Sequence, residues 1–382
     1  MSTSTVPSAR LTTLDVVRGL TVAAMILVNN NGDSAHTWPF FEHAPWNGFT
    51  LADFVFPSFL FMVGISIEFS LRSRLAKGAA KAALVLPILR RSALIFACGL
   101  MISGFPFYNL HTLRIYGVLQ RIALCFLASG LLALYTRTRT IVVTTAALLL
   151  GFWILLRFVP VPGLGMPVRD LPMLDPYANI VSWTDRAIFP VTRLYHHGVY
   201  DPCGLLGTFP SIASTLLGVL AGKWLLTAST QLRKLQGIAA ASIACIAAGL
   251  LWSPWFPINK RIWTSSYVLF AGGLALALFA ICYWLLDLHR KQKPPVWTWP
   301  ALAFGTNALA VYIFSELLAS GVDVIHIHAG GHTSSLRRLL FLPIQHAVPN
   351  PYLASLLYGV SFVGVCFVPM AVLYHRRIFI KV

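Results

Sequence analysis

One histidine in this sequence stands where proton chemistry could be done against an otherwise apolar background. His43 lies in NNNGDSAHTWPFFEHAPWNGFTLADFVFP, residues 29–57, between two long apolar runs. Phe40, Phe41 and Trp46 flank it, and the Asn47–Gly48 dipeptide turns the chain just after it. Those neighbours suit a general acid or base held at the mouth of a helix bundle between aromatic walls. Asp53, at the start of the next apolar run, has two compatible uses there. It can cap the helix it opens, and it can accept a hydrogen bond from one imidazole nitrogen and so fix the tautomer.

Ionisable groups inside a membrane are costly, so those within apolar runs are functional candidates. They are Asp15, Arg18, Asp53, Glu68, Arg121, Lys223, Asp287 and Glu316. Asp15 and Arg18, three apart on one helical face, can form a local ion pair or meet an anion. LRIYGVLQRIAL puts Gln120 and Arg121 into the fourth run; Arg121 is too deep to be a topology signal and needs a water-filled cavity or a partner, for which an anionic ligand or Asp53 would serve. YDPCGLLGT brings Asp201 and two glycines to the start of a helix whose amides could approach a substrate or phosphate, although a turn followed by an N-cap explains the same residues. PINKRIWTSSY sets Asn259, Lys260 and Arg261 at the entry to the eighth run, and GTNALAVYIFSE buries Asn307 in the ninth. His326, His328 and His332 have no cysteine and no acid but Asp323 beside them, and His196 and His197 are equally ambiguous, so no metal is expected. G-x-S-x-G, P-loop and H-E-x-x-H patterns do not occur, which leaves serine hydrolase, nucleotidase and zinc protease readings without support.

The elements that must hold these groups are transmembrane helices. The 382 residues are 57% hydrophobic and 11% charged, against roughly a quarter charged in soluble domains. Runs of about 17–25 apolar residues, the length that crosses a bilayer, number about ten: 14–30, 51–71, 88–106, 117–135, 141–158, 206–227, 236–253, 265–287, 300–320 and 352–374. The expectation is an all-α polytopic membrane protein, one transmembrane domain over residues 1–382, with outer loops at about 31–50, 159–205 and 321–351. The formal charge of +17 is dispersed in short clusters between the runs, which argues against a nucleic-acid partner. Arg10, Arg72, Arg74, Lys77, Lys81, Arg90, Arg91, Arg137, Arg139, Arg233, Lys234, Arg290, Lys291, Lys293, Arg376, Arg377 and Lys381 fall on one side when the N-terminus is inside. Both termini are therefore expected in the cytoplasm, with the His43 loop facing outward. LRRLLFLPI reads as a short interfacial helix. Cys203 is the one cysteine outside an apolar run, so an internal disulfide is not expected. No cleaved signal peptide is read ahead of the first run, and no repeat or inverted symmetry is visible.

Seven segments in order from Asp15 to Tyr312 resemble one family. They are LDVVRG, ILVNNNG, FFEHAPWNGFTLADFVFPSFLFMVGISI, LRIYGVLQRI, YDPCGLLGTFPSI, PINKRIWTSSYVL and GTNALAVY. Together they are similar to the heparan-alpha-glucosaminide N-acetyltransferase family of membrane acetyltransferases, without the large N-terminal luminal domain of its lysosomal member. The resemblance implies transfer of the acetyl group of acetyl-CoA, its nucleotide towards the cytosol, to an amino or hydroxyl group of a sugar or glycan on the far side. It puts the family's active-site histidine on His43 and its companion asparagine on Asn29. His43 would serve as general base or acetyl carrier and Asn29 as oxyanion donor, with Asp53 as the third catalytic candidate. Arg18, Arg121, Gln120 and Asn307 are the candidates for holding acetyl-CoA, and Trp46, Asn47, Asp201, Asn259 and Lys260 for the acceptor. Membrane lipid is an expected partner, a homodimer is entertained, and the expected setting is a bacterial cytoplasmic membrane. The competing functions are a transporter or flippase for a glycan or lipid-linked sugar, for which matched broken helices would speak, and a membrane anchor in an envelope-assembly complex.

Overall fold

The computed structural model describes residues 11–195, 198–288, 295–329 and 332–380. Arg10, His196, His197, Arg290, Lys291, Lys293 and Lys381 lie outside the described residues. Every apolar run becomes helix: α1 Thr12–Asn29, α2 Leu51–Ala76, α3 Lys81–Gly104, α4 Val118–Tyr135, α5 Thr138–Phe158, a short α6 Ile180–Ile188, α7 Thr208–Leu225, α8 Gln231–Trp252, α9 Ser265–Tyr283, α10 Trp299–Thr306, α11 Ala308–Val324, α12 Leu336–Ala347 and α13 Pro351–His375. A hairpin of β1 His326–Ala329 and β2 His332–Ser335 replaces the expected glycine-rich loop, with the Thr333 hydroxyl hydrogen-bonded to Nδ1 of His328 at 2.6 Å.

Eight of these helices are long and apolar enough to cross a membrane, nine if the bent pair α10–α11 is one span. This fits a polytopic helical membrane protein. The difference from ten comes from two places. In α7, Ser211, Ser214 and Thr215 are buried and turn their hydroxyls back onto carbonyls four residues earlier, so the helix lies inside the bundle and is less apolar than its neighbours. The run 300–320 is broken by 73° at Asn307. Nδ2 of Asn307 donates to the Ile378 carbonyl at 3.2 Å, and its Oδ1 accepts from Ile380 N at 2.8 Å. The C-terminal segment thus occupies the amide, and with it a break that the sequence reading missed.

α1, α2, α4 and α7 are the buried centre, whereas α3, α5, α8 and α13 are mostly exposed and form the outer shell. Apolar side chains gain little from one another in lipid, so close approach of small residues does the packing. Gly64 of α2 and Gly218 of α7 meet face to face: a Cβ on Gly64 would fall 2.0 Å from the Thr215 carbonyl oxygen, and one on Gly218 would fall 2.0 Å from that of Phe61. Gly19 and Gly305 do the same for α1 and α10. Charge inside the α2–α7 contact is paired, with the Glu68 carboxylate accepting from Lys223 at 3.2 Å and Arg72 at 2.8 Å.

The entrance of α2 is built by its own sequence. Thr50 and Asp53 form a reciprocal capping box. Pro57, one turn further, has no N–H to give the Asp53 carbonyl. Tyr267 of α9 fills that place, its hydroxyl donating to Asp53 O at 2.7 Å.

Gly218→Ala is expected to lower the thermal unfolding midpoint of the purified protein, with a cost of about 1–3 kcal/mol for forcing two backbones apart. Gly151→Ala on α5, where a Cβ meets nothing within 4 Å, is expected to leave the midpoint unchanged or slightly higher. Equal effects in the two variants would contradict this packing.

Candidate active site

The carboxylate of Asp53 gathers the site. Its Oδ2 accepts from Thr50 N at 3.2 Å, Thr50 Oγ1 at 3.1 Å and Ala44 N at 3.0 Å. Its Oδ1 accepts from Nδ1 of His43 at 3.0 Å. Capping and orientation therefore coexist in one group. Because the carboxylate offers only lone pairs, the imidazole carries its proton on Nδ1 and leaves the lone pair of Nε2 available. The ring is 33% exposed and Asp53 only 1%. The carboxylate is thus fixed, and the base it orients remains reachable.

Lys260 comes from residues 253–264, the turn between α8 and α9. Its Nζ lies 3.0 Å from Nδ1 and 3.1 Å from Nε2 of His43, and 3.7 Å from Oδ1 of Asp53. Near-equal distances to both ring nitrogens put the ammonium over the face of the imidazole, since no in-plane position reaches both without striking a ring carbon. Burial pushes the Lys260 ammonium down to about 8, with Arg261 adding to the fall and Asp53 opposing it. Burial also holds His43 below its usual 6.5; the hydrogen bond to Asp53 works the other way, and the Lys260 charge works with burial. Asn259 shapes this turn. Its Oδ1 accepts from Ile262 N at 3.1 Å and its Nδ2 donates to Oδ1 of Asn47 at 3.0 Å, while Gly48 N donates to the Ile258 carbonyl at 2.9 Å. Trp46 turns away from His43. Its indole N–H donates to the Leu174 carbonyl at 2.6 Å and its ring meets Tyr200 edge-on, which ties the His43 loop to the 159–205 cap.

Arg121 does not reach Asp53, contrary to one of the two partners the sequence offered it. Nη2 donates to the Gly204 carbonyl at 3.1 Å, and the guanidinium lies over the Trp263 ring. Its Nε and Nη1, and Nε2 of neighbouring Gln120, are buried with no partner among the described residues. Gly207 leaves room for the guanidinium: a Cβ there would fall 2.9 Å from Nη2. Asp201 is paired, accepting both donors of Arg114 at 2.6 and 2.8 Å and the Cys203 N–H at 2.8 Å. Asp185 on α6 accepts from Leu205 N at 3.0 Å, and burial pushes its carboxyl up to about 6.

Asn29 ends α1 on the other side of this cluster. With Tyr312 it is one of the polar side chains beside the Glu316 carboxyl. Cys203 is buried in the turn before α7, its N–H given to Asp201, in the neighbourhood of Lys260, Arg114 and Tyr312. Arg18 is remote from this cluster. It bonds Ser66 at 2.7 Å, the Gly305 carbonyl at 3.2 Å and Asp15 at 3.4 Å. Reading by sequence missed Tyr267, Asp185 and the central place of Cys203. Only the Pro57 in an otherwise regular helix hinted at the first of these.

A family model described as "Heparan-alpha-glucosaminide N-acetyltransferase, catalytic" matches residues 10–251. Heparan-alpha-glucosaminide N-acetyltransferase of Mus musculus is 31% identical over 361 residues, covering 81% of this chain and 54% of its own length. That of Homo sapiens is 30% identical over 360 residues, covering 81% and 53%. The chain spans about half the length of the curated relatives it matches.

Carbethoxylation of His43 by diethyl pyrocarbonate, read as the difference from His43→Ala, is expected to show a midpoint below pH 6.5. In Asp53→Asn, which removes the charge favouring imidazolium, the midpoint is expected to fall further. A rise in Asp53→Asn would contradict the hydrogen-bonded pair.

Proposed function

The chain belongs to the family of the heparan-alpha-glucosaminide N-acetyltransferase catalytic region, and on that premise we propose that it is a membrane-embedded acetyltransferase. It moves the acetyl group of cytosolic acetyl-CoA to an amino or hydroxyl group of a sugar on the opposite side. The observation that carries this reading is the Asp53–His43 pair, which directs the Nε2 lone pair of a partly exposed imidazole away from the carboxylate as a base.

Transfer needs a proton acceptor for the nucleophile and a donor for the oxyanion that forms on the thioester carbonyl. His43 Nε2 takes the proton or carries the acetyl group itself. Asn29, whose side chain lies beside the Glu316 carboxyl, has amide hydrogens to offer the oxyanion. Arg121 and Gln120, whose buried donors lack partners among the described residues, suit carbonyl or phosphate oxygens of the acetyl donor. Arg18 and Asn307 are less suited, because their polar atoms are engaged with Ser66, Gly305, Ile378 and Ile380. Asn47 and Asn259 hold one another at the rim, and an acceptor hydroxyl could exchange into that contact. In this reading α7 and the bent pair complete ten spans, and both termini are cytoplasmic. His43 then faces away from the cytosol.

The broken span at Asn307 is the one feature that favours a transporter. The side-chain amide of Asn307 at the break is engaged by the C-terminal segment rather than turned towards a pathway, and among the described residues no second bent pair matches it.

Acetyl-CoA at 100 times its Kd is expected to stabilise the protein by about 2.7 kcal/mol, seen as a raised unfolding midpoint. Radiolabelled acetyl transfer to glucosamine is expected in wild type and lost in His43→Ala, with the acetyl-CoA stabilisation retained in that variant. Undiminished transfer by His43→Ala would remove the assignment. Sugar counterflow in proteoliposomes without acetyl-CoA would favour transport instead.

A further inference from the structure

A cation lying on the face of a general base is a liability if both groups must be charged together. Lys260 is nevertheless held there by a fitted turn. Asn259 ties that turn to Asn47, Thr264 bonds the Pro257 carbonyl at 2.9 Å, and Trp263, held at a positive φ of 63°, donates to Ser214. Such a φ is costly for a bulky residue. The side chain of Lys260 is 15% exposed. The charged or titratable groups that face it or His43 are Asp53 from α2, Arg261 from its own turn and Cys203 from the turn before α7. One carboxylate therefore faces three basic side chains, of which Arg261 is always charged, so charging the lysine and the histidine at the same time is costly.

We propose that Lys260 is the acid that protonates the departing CoA thiolate while His43 takes the proton of the acceptor, the pair passing one positive charge from lysine to histidine and back. This rests on the acetyltransferase reading. A neutral amine or hydroxyl attacks the thioester carbonyl, and the new C–N or C–O bond forms as the C–S bond breaks, its electron pair leaving on sulfur. The acceptor proton goes to Nε2, and the thiolate takes a proton from Nζ. The imidazolium then returns its proton to the neutral amine through a bridging water, since the face-on Nζ lies 3.1 Å from Nε2 but off the line of its N–H. No net proton is gained or lost. If Nε2 carries the acetyl group instead, Nζ gives its proton to sulfur in the first step and takes the acceptor proton in the second, with the same total charge. An ammonium lowered to about 8 is well matched to a thiol, because proton transfer is most effective near the operating pH.

The test compares Lys260→Met and Lys260→Arg with wild type, each checked for an unchanged unfolding midpoint. With acetyl-CoA, kcat is expected to fall by about 100-fold or more in both variants, since a guanidinium keeps the charge but does not give up a proton. With S-(4-nitrophenyl) thioacetate, whose thiolate needs no proton to leave, the loss is expected to shrink to a few-fold. The wild-type profile of kcat falls above about pH 8 as the lysine deprotonates, and this alkaline limb disappears in both variants. Near wild-type rates in Lys260→Arg would reduce Lys260 to a fixed charge, and equal losses with both donors would reduce it to a structural part; either overturns the proposal. Lys260→Met also removes a charge that disfavours imidazolium, so the His43 carbethoxylation midpoint should rise, a measurement that needs no turnover. An unmoved midpoint overturns the pairing alone, whereas a wild-type protein that transfers no acetyl group overturns the function and the acid role together.

Discussion

The structure turns on one buried carboxylate. Asp53 accepts from Thr50 and so starts α2, accepts from Ala44 and so folds the outer loop back, and accepts from His43 and so decides which imidazole nitrogen is a base. Isolated charges in an apolar bundle are unstable, and this one is tolerated because its oxygens are surrounded by donors and a lysine. Its own backbone carbonyl would be orphaned by Pro57, and Tyr267 of α9 answers it. A helix start, a loop conformation, a helix–helix contact and a proton acceptor are thereby one connected arrangement. Loss of the carboxylate would disturb all four.

Around this point the protein divides its polar groups by purpose. Those needed only to hold helices are closed on themselves: Glu68 with Lys223 and Arg72, Asp15 with Arg18, Asn307 with the C-terminal segment. Those near His43 are left partly open, notably Arg121 and Gln120. In a low-dielectric interior an open donor is expensive, and the concentration of open donors on one short stretch of α4 marks the place where a polar guest is expected. Backbone close to backbone at Gly64 and Gly218 supplies the stiffness that such a place requires.

Much of this was legible because membrane helices announce themselves by length and composition, without help from tertiary contacts. The double role of Asp53 was also readable, since helix entry and proximity to His43 both follow from local sequence. What stayed hidden depended on segments distant in the chain. Arg121 found the Gly204 carbonyl and the Trp263 ring rather than Asp53, and those contacts come from residues more than eighty positions away. Asn307 looked like one more polar residue in an apolar run; its break is specified by Ile378 and Ile380, which carry no signal of their own. Cys203 read as a loop cysteine because its neighbours Lys260, Arg114 and Tyr312 arrive from three other parts of the chain. Family resemblance, by contrast, needed only contiguous motifs.

Trp46 carries a mechanical meaning that its hydrogen bond alone does not convey. The indole is stapled to Leu174 and braced by Tyr200, so the loop bearing His43 and the 159–205 cap are coupled as one plate rather than hung as two independent flaps. A guest that tilts this plate on entering also tilts the imidazole against Asp53 and Lys260. Admission and the strength of the base are then geared to each other, because the contact with Asp53 that raises it and the burial and Lys260 charge that lower it all depend on how the plate is seated.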